Sequence, residues 1–252
     1  MELLIVSVAS LFAGFVDAIV GGGGLILVPA LFAVFPTTAP ATLFGVNKGA
    51  SIWGTAVATA QYARRVELRW PVLLPAAALG FVGSLGGAWL VTIVAADFLR
   101  KALPFVLLGV LTYTVLKKDL GRHHAPRLSG RAEVLAACCI GGVLGFYDGF
   151  FGPGTGSLLL FAFVGLFGYD FIAASASAKL VNVATNVASL FYFASTGQVL
   201  YKVALPMAAC NMLGSTLGAR LAQRKGTGFV RVLFLGVVSA FILKLGWDTF
   251  GA

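Results

Sequence analysis

Two aspartates and two lysines stand in segments otherwise built of apolar residues: Asp17 in GFVDAIVGGGG, Asp148 in GFYDGFFGPGT, and Lys48 and Lys179 early in the apolar stretches that follow. A charge at membrane depth costs at least about 2.5–3.5 kcal/mol on insertion scales, so each must face a partner or water. Two chemistries suit them. In one, acid and base neutralise each other, Asp17 with Lys48 and Asp148 with Lys179, or the acids cap the helices behind them. In the other, the lysines attract an anion while an acid carries a coupling proton. Polar side chains beyond the lysines add hydrogen-bonding groups. Ser51 and Thr55 lie four apart, as do Asn182 and Asn186, so each pair shares one helix face. Bonds between helices are their alternative use.

Behind each acid the chain cannot continue as regular helix. Gly21 to Gly24 follow Asp17, and Gly152, Pro153, Gly154, Thr155 and Gly156 follow Asp148. Non-helical backbone at membrane depth survives only where protein or a water-filled cavity satisfies its polar groups, so each break marks a cavity. A helix restarting at Leu25 or Ser157 aims free N–H groups and a positive dipole end into it, which suits an anion. The candidate anion contacts are therefore Gly22, Gly23, Gly24, Gly154, Thr155 and Gly156, with charge from Lys48 and Lys179. The competing use of the glycines is close helix packing.

The elements that position these groups come in two copies. Shifting the chain by 131 positions lays Gly14–Gly24 over Gly145–Thr155, Lys48 over Lys179, Pro75 over Pro206, Gly83 over Gly214 and Arg100 over Arg231 without a gap. The chain is 59% hydrophobic and 11% charged, a composition of polytopic membrane proteins. Residues 1–116 form one transmembrane repeat, 117–131 a polar linker and 132–252 the second repeat. The first contains apolar elements near 3–20, 25–35, 41–63, 72–96 and 102–116. The segment 25–35 is too short to span, about 16 Å of helix against roughly 30 Å of hydrocarbon. Leu3 to Val20 lacks a basic leader and a cleavage site, so it reads as a retained span.

Twelve of the eighteen Lys and Arg residues fall at Arg64–Arg69, in the linker and at Arg220–Arg231. With those regions cytoplasmic, the two repeats face opposite ways and both termini lie outside. The fold class expected is an all-α membrane protein of two inverted-topology repeats. Each has a glycine-broken re-entrant hairpin and three spanning helices. Self-similarity with broken helices points to a transporter site at the repeat interface.

The glycine-rich GGGG and GPGTG runs behind an acid, continued by Lys48 and Lys179, resemble the sulfite exporter TauE/SafE family over essentially the whole chain. That resemblance implies a multi-pass inner-membrane protein of bacteria or archaea moving sulfite, sulfoacetate, other sulfonates or related organic anions. The copies are unequal, Gly24 facing Thr155 and Asn47 facing Ala178 under the overlay.

The reading is secondary transport by alternating access, not enzyme chemistry, with no cofactor. A GxxxxGK[ST] phosphate loop is absent from the sequence. The rivals are a passive anion channel, a non-transport assembly factor and an intramembrane aspartyl protease. The last is disfavoured because Asp17 lies in VDAIV, outside the GxGD setting of such enzymes. Cys138, Cys139 and Cys210 read as small apolar residues, and His123 and His124 as loop residues, so no metal site is expected. The expected partners are a small anion and the lipid bilayer, with a homodimer left open. Nucleic acid is not expected despite the net charge of +9.

Overall fold

The computed structural model describes residues 1–116 and 124–224, all helices and connections with no strand among them. The helices are α1 (Glu2–Val20), α2 (Gly24–Val34), α3 (Pro40–Ala63), α4 (Trp70–Ile93), α5 (Ala96–Leu116), α6 (Gly130–Phe150), α7 (Thr155–Gly165) and α8 (Phe171–Ser195). Residues 201–224 are helical as well. His123, Lys225 and Arg231 of the Arg220–Arg231 group and the last apolar element of the second repeat lie outside the described residues. Among the described helices, α1, α4 and α6 are long and apolar enough to cross a membrane by themselves. The equally long α3 and α8 are more polar, because they carry the lysines, asparagines and hydroxyls that turn inward.

The bundle reverses the usual soluble arrangement. Leu74, Val82, Trp89 and Ile93 of α4, and Val143 of α6, are exposed, while Asn47, Lys48, Asp148, Lys179 and Asn186 are buried. Lipid is as apolar as leucine, so outward hydrophobic groups carry no penalty, and close backbone contact has to hold the helices together. Small residues permit that contact. A Cβ on Gly145 would lie 2.3 Å from the carbonyl oxygen of Gly80, and one on Gly87 2.1 Å from that of Phe146. The same relations recur 131 residues away: Gly14 against Asn211, and Gly218 against Phe15. Thus α1 packs on the 201–224 helix as α6 packs on α4, each helix crossing to the other half of the chain.

Loop contacts sort the connections into two ends. At one, Tyr169 donates a hydrogen bond to Glu133 at 2.6 Å, Arg69 pairs with the same carboxylate at 2.6 Å, and Arg127 donates to the Gly165 carbonyl. The α6–α7 hairpin therefore begins and ends together. Burial, followed by the bond to Glu133, pushes the Tyr169 hydroxyl up to about 12, keeping it a donor. At the other end Arg100 donates to the Thr38 carbonyl and Thr42 to Gln198. Arg69 and Arg127 of the linker thus lie apart from Arg100.

Two boundaries differ from those read in the sequence. Residues 97–101, taken as a connection, begin α5: Asp97 lies in its first turn and Leu99 is buried. A charged first turn hides the helix start from an apolar-run criterion, although an acid there suits the dipole. Likewise α6 starts at Gly130, two residues inside the segment read as linker, and Glu133 in its first turn is buried against Arg69 and Tyr169.

Candidate functional site

The two breaks meet. Gly21 ends α1 with φ +79° and Gly152, its counterpart, has φ +86°, backbone that side chains rarely adopt. Gly21 lies directly on Gly156, where an added Cβ would be 2.2 Å from the Gly156 carbonyl carbon. Ser157 completes the crossing, its N–H donating to Gly21 O at 3.1 Å and its hydroxyl to Val20 O at 2.7 Å. The start of α7 is therefore partly satisfied by α1. At α2, the Gly23 N–H reaches the Asp17 carboxylate at 3.3 Å. These N–H groups were expected to face an anion; both already have an acceptor within the chain, because a buried helix start without one is costly.

Around this crossing lies a cavity of about 30 Å³, room for a water or two. Of the residues singled out in the sequence, Gly23, Gly24, Gly154 and Gly156 line it from the breaks; Asp17, Asp148, Lys48, Ser51, Thr55, Asn182 and Asn186 line it with side chains. Three do not. Gly22 is buried in the turn, its carbonyl accepting from Leu25 N–H; Thr155 turns its hydroxyl onto Gly152 O; Lys179 lies behind Asp17 and over the Tyr62 ring, 5.9 Å from its centroid.

The charges pair between repeats. Lys48 Nζ lies 2.6 Å from Asp148 and donates to Asn186 Oδ1 at 3.0 Å. Lys179 Nζ donates to the Asp17 carbonyl at 2.5 Å, with the Asp17 carboxylate 3.8 Å away. Pairing within a repeat, Asp17 with Lys48 and Asp148 with Lys179, is thereby corrected: α3 packs against α8, so each lysine is delivered to the acid of the other half. The hydroxyl and amide pairs make bonds within the bundle, the second of the two uses read for them. Thr55 bonds the Ser51 carbonyl at 3.0 Å and reaches Asp17 at 3.4 Å, and Asn186 bridges helices to Lys48.

Two asparagines were missed as site residues. Asn47, 3% exposed, lines the cavity with an unpartnered amide oxygen, and Asn211 lines it while donating to Ser10 O. Asn47 precedes Lys48, and Asn211 overlies Gly80, so neither falls in the repeat pattern. An amide inside an apolar helix was the available signal. Among the described residues no group of three His, Cys, Asp or Glu side chains could hold a metal ion.

The arrangement is a buried polar pocket with paired charges, fed by two helix starts. Known proteins share the chain that builds it. A relative in Sinorhizobium sp, "Probable membrane transporter protein ORF9", is 38% identical over 239 residues, covering 94% of this chain and 90% of its own. "Probable membrane transporter protein YfcA" of Escherichia coli (strain K12) is 37% identical over 243 residues, 96% of this chain and 88% of its own. A "Probable membrane transporter protein" of Haemophilus influenzae is 36% identical over 241 residues, 94% and 91%. No solved structure matches the chain. The model of the family "Sulfite exporter TauE/SafE" matches residues 6–245, both glycine breaks and both lysines included, and the chain belongs to that family.

Proposed function

We propose that the protein is a secondary transporter of the inner membrane that carries a small sulfur-containing or organic anion, with sulfite, sulfoacetate and other sulfonates as candidates, by alternating access. The observation that carries this reading is the meeting of two broken helices, one from each half, at a buried cavity lined by asparagines, hydroxyls and a lysine. Half-helix starts beside unwound backbone are the device by which transporters hold ions at depth. Membership of an exporter family and relatives named as membrane transporters support the same class.

In this mechanism the opposed repeats rock about the Gly21–Gly156 crossing, exposing the cavity first to one side and then to the other. The cross-repeat ion pairs Lys48–Asp148 and Lys179–Asp17 span the moving parts. An anion enters where amides and hydroxyls replace its hydration shell, since burying it unpaired would be prohibitive. Purified protein in liposomes should take up radiolabelled sulfite, sulfoacetate or a small carboxylate saturably and show counterflow. Uptake that grows linearly with concentration and lacks counterflow would indicate a channel, and no uptake of any of them would sink the reading.

The orientation follows from the loop charges. A reporter inserted near Gly121 should behave as cytoplasmic and one fused after Ala252 as periplasmic. Finding both on one side would remove the opposed repeats.

A further inference from the structure

The charges at the cavity sum to zero once Lys179, behind Asp17, is counted. Asp17, Asp148 and Lys48 line it, Lys179 matches Asp17 from outside the lining, and the other lining side chains are neutral. An anion added to this set leaves one buried negative charge uncompensated, which a low-dielectric site does not tolerate. A proton taken by one of the acids restores the balance. The structure distinguishes the acids. Asp148 is held by Lys48 at 2.6 Å and its side chain is 2% exposed, whereas Asp17 lies 3.8 Å from Lys179 and is 15% exposed. The contacts of Asp17 are those an anion would take: the Gly23 N–H at the start of α2 at 3.3 Å and the Thr55 hydroxyl at 3.4 Å, both long. Asn47 stands at the same cavity, almost fully buried and with an amide oxygen that has no partner, so the pocket holds hydrogen-bonding capacity the protein itself does not use.

We propose that the Asp17 carboxylate is an internal stand-in for the transported anion, occupying the donors at the start of α2 until it takes up a proton, so that one proton moves with each anion. Protonation weakens its hold on Gly23 N–H and removes the countercharge of Lys179. Those groups and Thr55 then face the incoming anion, while the carboxylic O–H becomes a donor able to meet it or the Asn47 amide oxygen. The groups facing Asp17 are Lys179 from α8, Lys48, Thr55 and Tyr62 from α3, Asp148 from α6 and Asn211 from the 201–224 helix. Neither α2 nor α7 contains an ionisable residue. The inference rests on the anion-transport reading above and adds to it the coupling ion and the residue that carries it.

Methanesulfonate is the probe of choice: it is a monoanion at neutral pH and matches the single added charge, whereas sulfite exchanges protons near neutrality and sulfoacetate brings two charges. Adding methanesulfonate to weakly buffered, detergent-purified protein containing a pH-indicator dye should draw about one proton per bound anion. Calorimetric affinity should weaken as pH rises, by up to about tenfold per pH unit, the slope that linked uptake of one proton imposes. Asp17→Asn should bind more tightly than wild type at neutral pH, with no proton uptake and no pH dependence. Wild-type binding without proton uptake would overturn the proposal while leaving anion transport intact. Equal proton uptake by Asp17→Asn would overturn the choice of residue. No binding of methanesulfonate, sulfite, sulfoacetate or acetate by either protein would instead bring down the transport reading and the coupling with it. The wild-type proton count stands even where Asp17→Asn does not fold.

Discussion

Gly21→Ala is expected to remove most of the folded protein from detergent extracts, whatever anion is supplied. Two independent costs fall on this one methyl group. The backbone at Gly21 has φ +79°, which costs a residue with a Cβ about 1–2 kcal/mol. The new Cβ would also lie 2.2 Å from the carbonyl carbon of Gly156 and 2.4 Å from Ser157 N. Those are backbone atoms of the opposite break and cannot swing aside as a side chain would. Overpacking of this kind adds about 1–3 kcal/mol, giving roughly 2–5 kcal/mol in all. It would also pry open the Ser157–Gly21 and Ser157–Val20 hydrogen bonds that fasten the two halves at the cavity. Size-exclusion profiles after graded heating measure the loss. A comparison lies one residue away: Gly22→Ala meets nothing nearer than 3.7 Å and should melt close to wild type. Wild-type melting of Gly21→Ala would show that the crossing is not a structural keystone.

The second large effect concerns the exchanged ion pairs. Lys48→Gln or Asp148→Asn alone should cost about 3–5 kcal/mol, since each leaves an opposite charge buried without its partner. The double variant Lys48→Gln with Asp148→Asn should recover much of that stability, because no unmatched charge remains and Asn186 can still bond the glutamine amide. Lys48→Gln combined with Asp17→Asn should show no such recovery. It removes one member from each of two pairs and leaves both Asp148 and Lys179 unmatched. Thermal stability of the three single variants, Lys48→Gln, Asp148→Asn and Asp17→Asn, and of both doubles completes the cycle. Recovery in the Asp17 double and not in the Asp148 double would mean that the charges pair within each repeat. Anion affinity in the same proteins separates the two roles of Lys48. A persistent affinity defect in the stable Lys48→Gln, Asp148→Asn double supports contact with the anion, and restored affinity confines the lysine to neutralising Asp148.

The sequence by itself determined the class of molecule, the duplication and the places where helices break. All three are written in local patterns: apolar runs longer than a soluble core needs, a self-overlay at 131 positions, and glycine runs beside acids. It also isolated the four charges later found around the cavity, since charges within apolar runs are few. What it could not determine was which acid meets which lysine. Asp17 and Lys48 are 31 residues apart, as are Asp148 and Lys179, so the sequence looks the same whether partners lie within a repeat or between repeats. The choice was made by packing. Glycine faces carry α6 onto α4 and α1 onto the 201–224 helix, α3 lies against α8, and each of these three contacts crosses the duplication. The same crossing brings Asn211 to the cavity and gives the α7 start its acceptor in Gly21, 136 residues away from Ser157. Partner choice in a duplicated chain is a property of how the copies dock, and docking is set by surfaces that exist only once the helices have formed.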